Sequence, residues 1–247
     1  MDIEGKVAVV TGGGTGIGRA TALLLARRGA DVTINYSRSE SEANSTAREV
    51  EAMGRRALCF RADVSDPASV EAMMSETVSR LGRLDILVNN AGFTRFVDFK
   101  DLEALDDETW DRTMAVNVKG PFYCTRAAAA HMRRAGAGVV VNVSSVAARL
   151  ARGSSIPYCC SKAALDVLTR IMAKTLAPEI RVNAVAPGVV DTRWVKNQKA
   201  FVRGAQMQTP LRRIATPDDV ARAVISLIEG SDFVTGVVLP VDGGISA

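Results

Sequence analysis

Histidine is almost missing from this 247-residue chain, which has only His131, in "AAAAHMRR". A triad with a histidine base is excluded unless His131 itself serves, and its alanine-rich setting reads as the surface of a helix. Cysteine is scarce too: Cys59, Cys124, Cys159 and Cys160 are the full set, with no CxxC spacing. That pattern fits neither a disulfide framework nor a zinc site, so the four are expected to be reduced, buried small residues. No apolar run is long enough to cross a bilayer. The start, "MDIEGKVAVVTGG", lacks the basic region, long apolar region and cleavage site of a secretion signal. The expectation is a soluble, cytoplasmic protein. A bias towards one charge is also missing. The net charge is +4, yet 31 basic residues are interleaved with 27 acidic ones, which describes a solvated, mixed-sign surface and not a nucleic-acid footprint. The arginine pairs that begin at Arg27, Arg55, Arg133 and Arg212 fall near expected element ends, where cations complement helix carbonyls or stay wet.

What is present is a chain with 47% hydrophobic residues and no repeat, low-complexity tract or linker, enough to bury the core of one α/β domain. Seven short β-branched runs recur: "KVAVV", "DVTINY", "ALCFRAD", "LDILVNN", "GVVVNVSS", "IRVNAVA" and "GVVLPVD". Runs such as "VVVNV" are apolar on consecutive residues, as strands are when helices cover both faces of a parallel sheet. Between them, "SDPASVEAMM", "LDDETWDRTM" and "ATPDDVARAV" open helices with a capping Ser, Asp or Thr followed by Pro or acids. Right-handed crossovers then predict a doubly wound sheet whose binding crevice lies at the carboxyl ends of the strands. Gly12, Asn90, Ser145 and Pro187 all follow such ends.

"TGGGTGIG", Thr11 to Gly18, fits neither GxGxxG nor the phosphate-gripping GxxxxGK[ST] in any register. It does fit Gly12-x3-Gly16-x-Gly18 between a strand and a helix. Such a loop brings backbone N–H groups and the positive end of a helix to a pyrophosphate. A cofactor with a free ribose 2′-hydroxyl is usually held by an acid at the end of the second strand; here Tyr36, Ser37 and Arg38 stand in "INYSRSE". Without an acid to repel it, and with a guanidinium to meet it, a 2′-phosphate is favoured, which points to NADP rather than NAD. Arg38 as a plain surface cation is the competing reading.

Tyr158 and Lys162, in "IPYCCSK", are four apart at the start of an expected helix and so share a face, with Cβ atoms about 5–6 Å apart. Ser145 lies thirteen positions before Tyr158. Asn117 sits among apolar neighbours in "WDRTMAVNVKGPF" that would bury it, and a buried Asn needs partners.

Taken together these motifs resemble the short-chain dehydrogenase/reductase family, from "KVAVVTGGGTGIG" to "LPVDGG". The resemblance implies a single Rossmann-type α/β domain over residues 1–247, with seven mostly parallel strands and helices on both faces. It implies a catalytic set of Asn117, Ser145, Tyr158 and Lys162, with Tyr158 as general acid and base, Ser145 bound to the substrate oxygen and Lys162 on the nicotinamide ribose. Asn117 would anchor a water linking Lys162 to solvent. Cofactor contacts would come from Gly12, Thr15, Gly16, Ile17 and Gly18, from Tyr36, Ser37 and Arg38, and from Asp63 and Val64 beside the adenine. Asn90, Ala91 and Gly92 in "NNAG" would border the ribose, and Pro187, Gly188, Val190 and Thr192 would close over the nicotinamide, with Tyr158 and Lys162 also in contact. No metal is implied. The expected activity is NADP(H)-dependent interconversion of a ketone and a secondary alcohol, with a 3-oxoacyl-(acyl carrier protein) reductase or a non-catalytic NADP-binding redox sensor as alternatives. Pro178, where carrier-protein reductases often have Arg, weakens the former. The segment 191–210 would be a substrate lid; Phe93, Val146, Ile156, Val189 and Trp194 would line the pocket. Relatives are usually homotetramers.

Overall fold

The computed structural model describes residues 1–247. Seven strands form one sheet: β1 Val7–Val10, β2 Asp31–Tyr36, β3 Ala57–Arg61, β4 Ile86–Asn89, β5 Gly138–Val143, β6 Ile180–Pro187 and β7 Val238–Val241. Their spatial order is β3-β2-β1-β4-β5-β6-β7, and every adjacent pair is parallel. The order reverses between β1 and β4, and the crevice at such a switch point is where ligands of doubly wound sheets bind.

Strand alternation explains the unbroken apolar runs. Ala8 and Val10, Ile86 and Val88, and Val139, Val141 and Val143 face one helical layer, while Val9, Leu87 and Val140 face the other. The first layer holds α1 Gly16–Arg27, α2 Glu40–Ala52 and α9 Pro217–Glu229, through residues such as Leu25, Val50 and Val224. The second holds α3 Pro67–Leu81, α5 Gly120–Arg134 and α7 Ile156–Leu176, through Met73, Met132 and Leu176. Both strand faces are buried, and the polar side chains they do carry are paired: Asn89 of β4 donates to Asn142 of β5, and Asn142 to Thr169 of α7, both at 2.9 Å.

The expected caps form. Asp66 accepts from the backbone of Ala68 and Ser69 to open α3, and Asp106 accepts from Thr109 to open α4, Asp107–Met114. Thr216 and Asp219 make a reciprocal capping box at α9. Each such cap contributes about 1 kcal/mol. Between α4 and α5 the helix widens into a π turn, Ala115–Lys119, and a short α6, Ala147–Leu150, follows β5. The segment expected to form a lid contains α8, Lys199–Gln208, none of whose residues is buried.

The cysteines are all free, but only Cys124 and Cys159 are buried; Cys160 is exposed, contrary to expectation. It follows Cys159 on α7 and lies about 100° further round that helix, on its solvent side. His131 sits partly covered on α5, its ring nitrogen 2.7 Å from the Arg134 guanidinium. No helix is long and apolar enough to cross a membrane.

Candidate active site

The glycine loop is pinned to both of its neighbouring strands. Buried Asn35, at the end of β2, accepts from Gly12 N–H at 3.2 Å and donates to the Ala62 carbonyl at 3.0 Å. From the other side, the Thr11 hydroxyl accepts from the backbone of Asn90 and of Ala91, both at 2.9 Å. The Asn90 amide returns bonds to the Thr11 and Gly12 carbonyls. Gly12 and Gly16 take left-handed backbone, φ 62° and 53°. Gly18 is needed for a different reason: a Cβ there would lie 2.3 Å from the Gly12 carbonyl oxygen and 2.5 Å from the Asn90 amide. Gly18 is thus a packing residue behind the loop, while Gly12, Thr15, Gly16 and Ile17 line the cavity.

The first turn of α1 has no side-chain cap and no acid. Its leading N–H groups therefore face the crevice without a protein acceptor from a capping side chain, an arrangement suited to a diphosphate.

One cavity of about 560 Å³ runs along the carboxyl rim. Besides the loop it is lined by Tyr36 and Ser37, by Asn90, Ala91 and Gly92, by Ser145, Tyr158 and Lys162, and by Pro187, Gly188, Val190 and Thr192. Residues from five regions of the chain thus meet where the switch point requires. Arg38 is exposed just outside this lining, next to Ser37 and Ser39, which are part of it. Asp63 and Val64 also lie outside it. The Asp63 carboxylate is held by Ser65 and by Arg112 at 2.8 Å, contacts that keep it below the usual carboxylate range against the opposing pull of burial. Val64 is buried against Gly120.

Tyr158 stands in the first turn of α7 and Lys162 one turn on. The Lys162 ammonium is buried, donates to the Val143 carbonyl at 2.7 Å and lies 5.7 Å from the centre of the Tyr158 ring. Desolvation lowers its pKa to about 8, against the opposing charge of Asp166. Desolvation likewise pushes the Tyr158 phenol up to about 12, although a hydrogen bond from the Ser145 side opposes the shift. Ser145 Oγ accepts from Ala147 N–H at 3.2 Å, which fixes it at the mouth of β5.

Asn117 is carried by the π turn. Its Oδ1 accepts from Phe93 N–H at 2.8 Å, and its Nδ2 donates to the Phe93 carbonyl at 2.9 Å and to Ser161 Oγ at 3.0 Å. The amide thereby ties the irregular segment following β4 to the turn of α7 between Tyr158 and Lys162. The extra residue of a π turn turns the side chain inward, and such bulges frequently sit at functional sites.

Sequence reasoning missed several groups. Ser144, next to Ser145, lines the same cavity and donates to the buried Asp166 carboxylate at 2.5 Å. Asn35, Ser161 and Asp166 act through contacts distant in sequence and carry no local signal. Of the expected pocket walls, Val146, Val189 and Trp194 line the cavity; Phe93 and Ile156 do not. Phe93 packs against the core beneath α3 and α5 instead. Trp194 meets the Tyr158 ring edge-on at 6.3 Å, and Phe96 meets Phe201 of α8 at 5.7 Å, so aromatic pairs bracket the substrate end.

The chain matches the family model described as enoyl-(acyl carrier protein) reductase over residues 12–246. It is 44% identical to the granaticin polyketide synthase putative ketoacyl reductase 2 of Streptomyces violaceoruber, covering 98% of this chain and 96% of that one. Identity to the cis-4-hydroxycyclohexanecarboxylate dehydrogenase of Sinomonas cyclohexanicum is 42%, over 98% and 97% of the two chains. The crystal structure of the 3-ketoacyl-(acyl-carrier-protein) reductase of Brucella melitensis, complexed with NADH, superposes with a TM-score of 0.91 at 34% identity, over 99% of this chain and 100% of that one. The chain belongs to the short-chain dehydrogenase/reductase family of oxidoreductases, which act on keto and alcohol groups.

Proposed function

We propose that this protein is an NADP(H)-dependent reductase of a ketone, or dehydrogenase of the matching secondary alcohol, with Tyr158 as the general acid and base. The observation that carries this reading is the convergence of Ser145, Tyr158 and Lys162 on one cavity with the uncapped glycine loop. Bound nicotinamide would supply the hydride chemistry. The chain's own residues manage position and proton.

In reduction, the Tyr158 hydroxyl delivers its proton to the substrate oxygen as that oxygen gains negative charge. With its pKa pushed up to about 12, the phenol is fully protonated at neutral pH and ready to donate. Ser145 Oγ gives the same oxygen a second hydrogen bond and aligns the carbon for attack. In the reverse direction the phenol must lose a proton, and the buried Lys162 cation, together with positive charge in the occupied cleft, lowers the cost of the phenolate. Acid–base assistance of this kind is worth about 10²–10⁴-fold. Asn117 acts by position: it holds α7 against the β4 side of the cleft through Ser161 and Phe93, and it makes no direct bond to Lys162.

Tyr36, Ser37 and Arg38 support NADP over NAD, since β2 ends in Tyr36 and not in an acid, the neighbouring Glu40 is engaged with the Tyr36 hydroxyl, and Arg38 lies open beside the cavity. Beyond Thr192 the cleft is walled by the lid, residues 191–210, through Trp194, Val195, Ala200, Phe201 and Gln208. A homotetramer is supported by apolar side chains left open on the long helices and the C-terminal edge: Phe122 on α5, Val167 and Ile171 on α7, and Phe233 before β7. Steady-state assays of a ketone panel with NADPH and NADH test the reading. It predicts turnover with a preference for NADPH, and a preference displaced towards NADH by about tenfold or more in Arg38→Asp. Absence of turnover with either cofactor would leave a non-catalytic sensor.

A further inference from the structure

The substrate end of the cavity is framed by two stretches, Val146 to Pro157 and Thr192 to Arg213. Together they carry Arg149, Arg152, Arg193, Lys196, Lys199, Arg203, Arg212 and Arg213 and no Asp or Glu. In a chain whose charges are otherwise nearly balanced, this is a local excess of one sign at one mouth. Four of the bases are occupied elsewhere. Arg149 donates to the Val238 carbonyl, Arg212 to the Met207 carbonyl, Arg193 to Ser39 with Glu42 3.8 Å away, and Arg213 is paired with Asp219. The remaining wall, around Thr94 and Phe96, carries Arg95, Asp98, Lys100 and Asp101, and Arg95 is spent on Asp106.

Arg152 is different. It lines the main cavity and also a side chamber formed by Leu150, Arg152, Gln208 and Ile245. It makes no ion pair; its one side-chain hydrogen bond runs from Nη2 to Gln208 Oε1, a neutral acceptor on α8, at 2.6 Å. The residue before it, Ala151, holds a left-handed backbone with φ 48°. A non-glycine residue in that region is strained by about 1 kcal/mol or more, and here the strain serves the turn that swings Arg152 from the end of α6 into the cavity wall. The same cavity is lined by apolar Val146, Leu150, Val189, Val195, Ala200 and Phe201, with polar Thr94 and Ser154, and Leu150 shares the side chamber with Arg152.

From this placement we infer that the substrate is an anion: a compact, apolar ketone or alcohol carrying a carboxylate that Arg152 binds, with Gln208 of the lid completing the contact. The inference rests on the ketone–alcohol reading above and names the substrate class of that same site. A guanidinium offers a planar fork of donors that fits a carboxylate bidentately, and Gln208 occupies only one of them. The carboxylate fixes one end of the molecule, the apolar wall takes its body, and the carbonyl is left to Tyr158 and Ser145. The unpaired Lys196, Lys199 and Arg203 on the lid raise the local concentration of anions at the mouth.

Two measurements on the full-length enzyme test this. Calorimetric titration with cyclohexanecarboxylate and with its carboxamide needs no turnover; the acid is expected to bind about tenfold more tightly, and Arg152→Gln to erase that difference. Reduction of 4-oxocyclohexanecarboxylate and of its methyl ester should show the same preference in kcat/KM, carried by KM, with Arg152→Lys retaining part of it. Equal binding of acid and amide, or a preference that survives in Arg152→Gln, overturns the inference. Preference for acetoacetyl-CoA over the free acid, abolished by Arg152→Gln, overturns it in favour of a tethered acyl substrate. Charge-dependent binding without any turnover would uphold the anion site and sink the oxidoreductase reading instead.

Discussion

The ammonium nitrogen of Lys162 lies 5.7 Å from the centre of the Tyr158 ring, one helical turn along α7. Neither group has an acidic side chain as its hydrogen-bond partner: Lys162 donates to the Val143 carbonyl, and Tyr158 faces Ser145. Both pKa values are moved by burial, downward for the amine and upward for the phenol. Burial therefore disfavours the charged form of each. A site built this way is costly to the fold and waits for charge supplied by whatever enters the cleft.

Lys162→Met should consequently stabilise the fold. Below about pH 8 the ammonium is charged in both folded and unfolded chains, and the folded state bears the full desolvation penalty. Against an ordinary value of 10.5, the shift corresponds to about 3 kcal/mol. As pH rises from 8 towards 10.5 the folded lysine loses its proton first, so the wild type gains stability and the advantage of Met shrinks. Urea denaturation of the two proteins at pH 7 and pH 10 reads this directly. An advantage for Met that grows with pH would contradict it.

Asn117→Ala is expected to have the opposite effect. It removes the acceptor for Phe93 N–H and the donor to Ser161 Oγ in a buried place, at a cost of about 1–3 kcal/mol. Activity should fall further than stability, because α7 loses its tie to the β4 side of the cleft between Tyr158 and Lys162. A variant with wild-type kcat and an unchanged denaturation midpoint would show that this amide is dispensable.

Gly18→Ala and Gly54→Ala separate packing from backbone strain. At Gly18 a methyl meets the Gly12 carbonyl at 2.3 Å, so the phosphate loop must shift; at Gly54 it meets nothing within 4 Å, although φ is 77°. Cofactor affinity, followed by nucleotide fluorescence, should drop by about tenfold or more in Gly18→Ala and stay unchanged in Gly54→Ala. Equal affinities in the two variants would argue against a role for Gly18 in shaping the loop.

The division between what the sequence showed and what it hid is physical. Strands such as "VVVNV" and caps such as Asp66, Asp106 and Thr216 are local, and each appears where periodicity and capping chemistry place it. Tyr158 and Lys162 were legible because helix geometry alone puts them on one face. Ser144 with Asp166, Asn35 with Gly12, and Asn117 with Ser161 join residues 22, 23 and 44 positions apart, and only the packed sheet and helices bring them together. The same holds for errors. Cys160 was expected inside, but it follows Cys159 on α7 and falls on the solvent side; Phe93 was expected in the pocket, but its half-buried ring packs against the core of the α3 and α5 layer.

The central claim is that Tyr158 moves the proton. Tyr158→Phe keeps the ring, its edge contact with Trp194 and the nearby Lys162 cation, and removes only the hydroxyl. Transient-state reduction of a ketone, with cofactor affinity measured on the same variant, is the most direct test. The account predicts nucleotide binding within about twofold of wild type and a hydride-transfer rate lower by about 10²–10⁴-fold. Hydride transfer at the wild-type rate in Tyr158→Phe would contradict it.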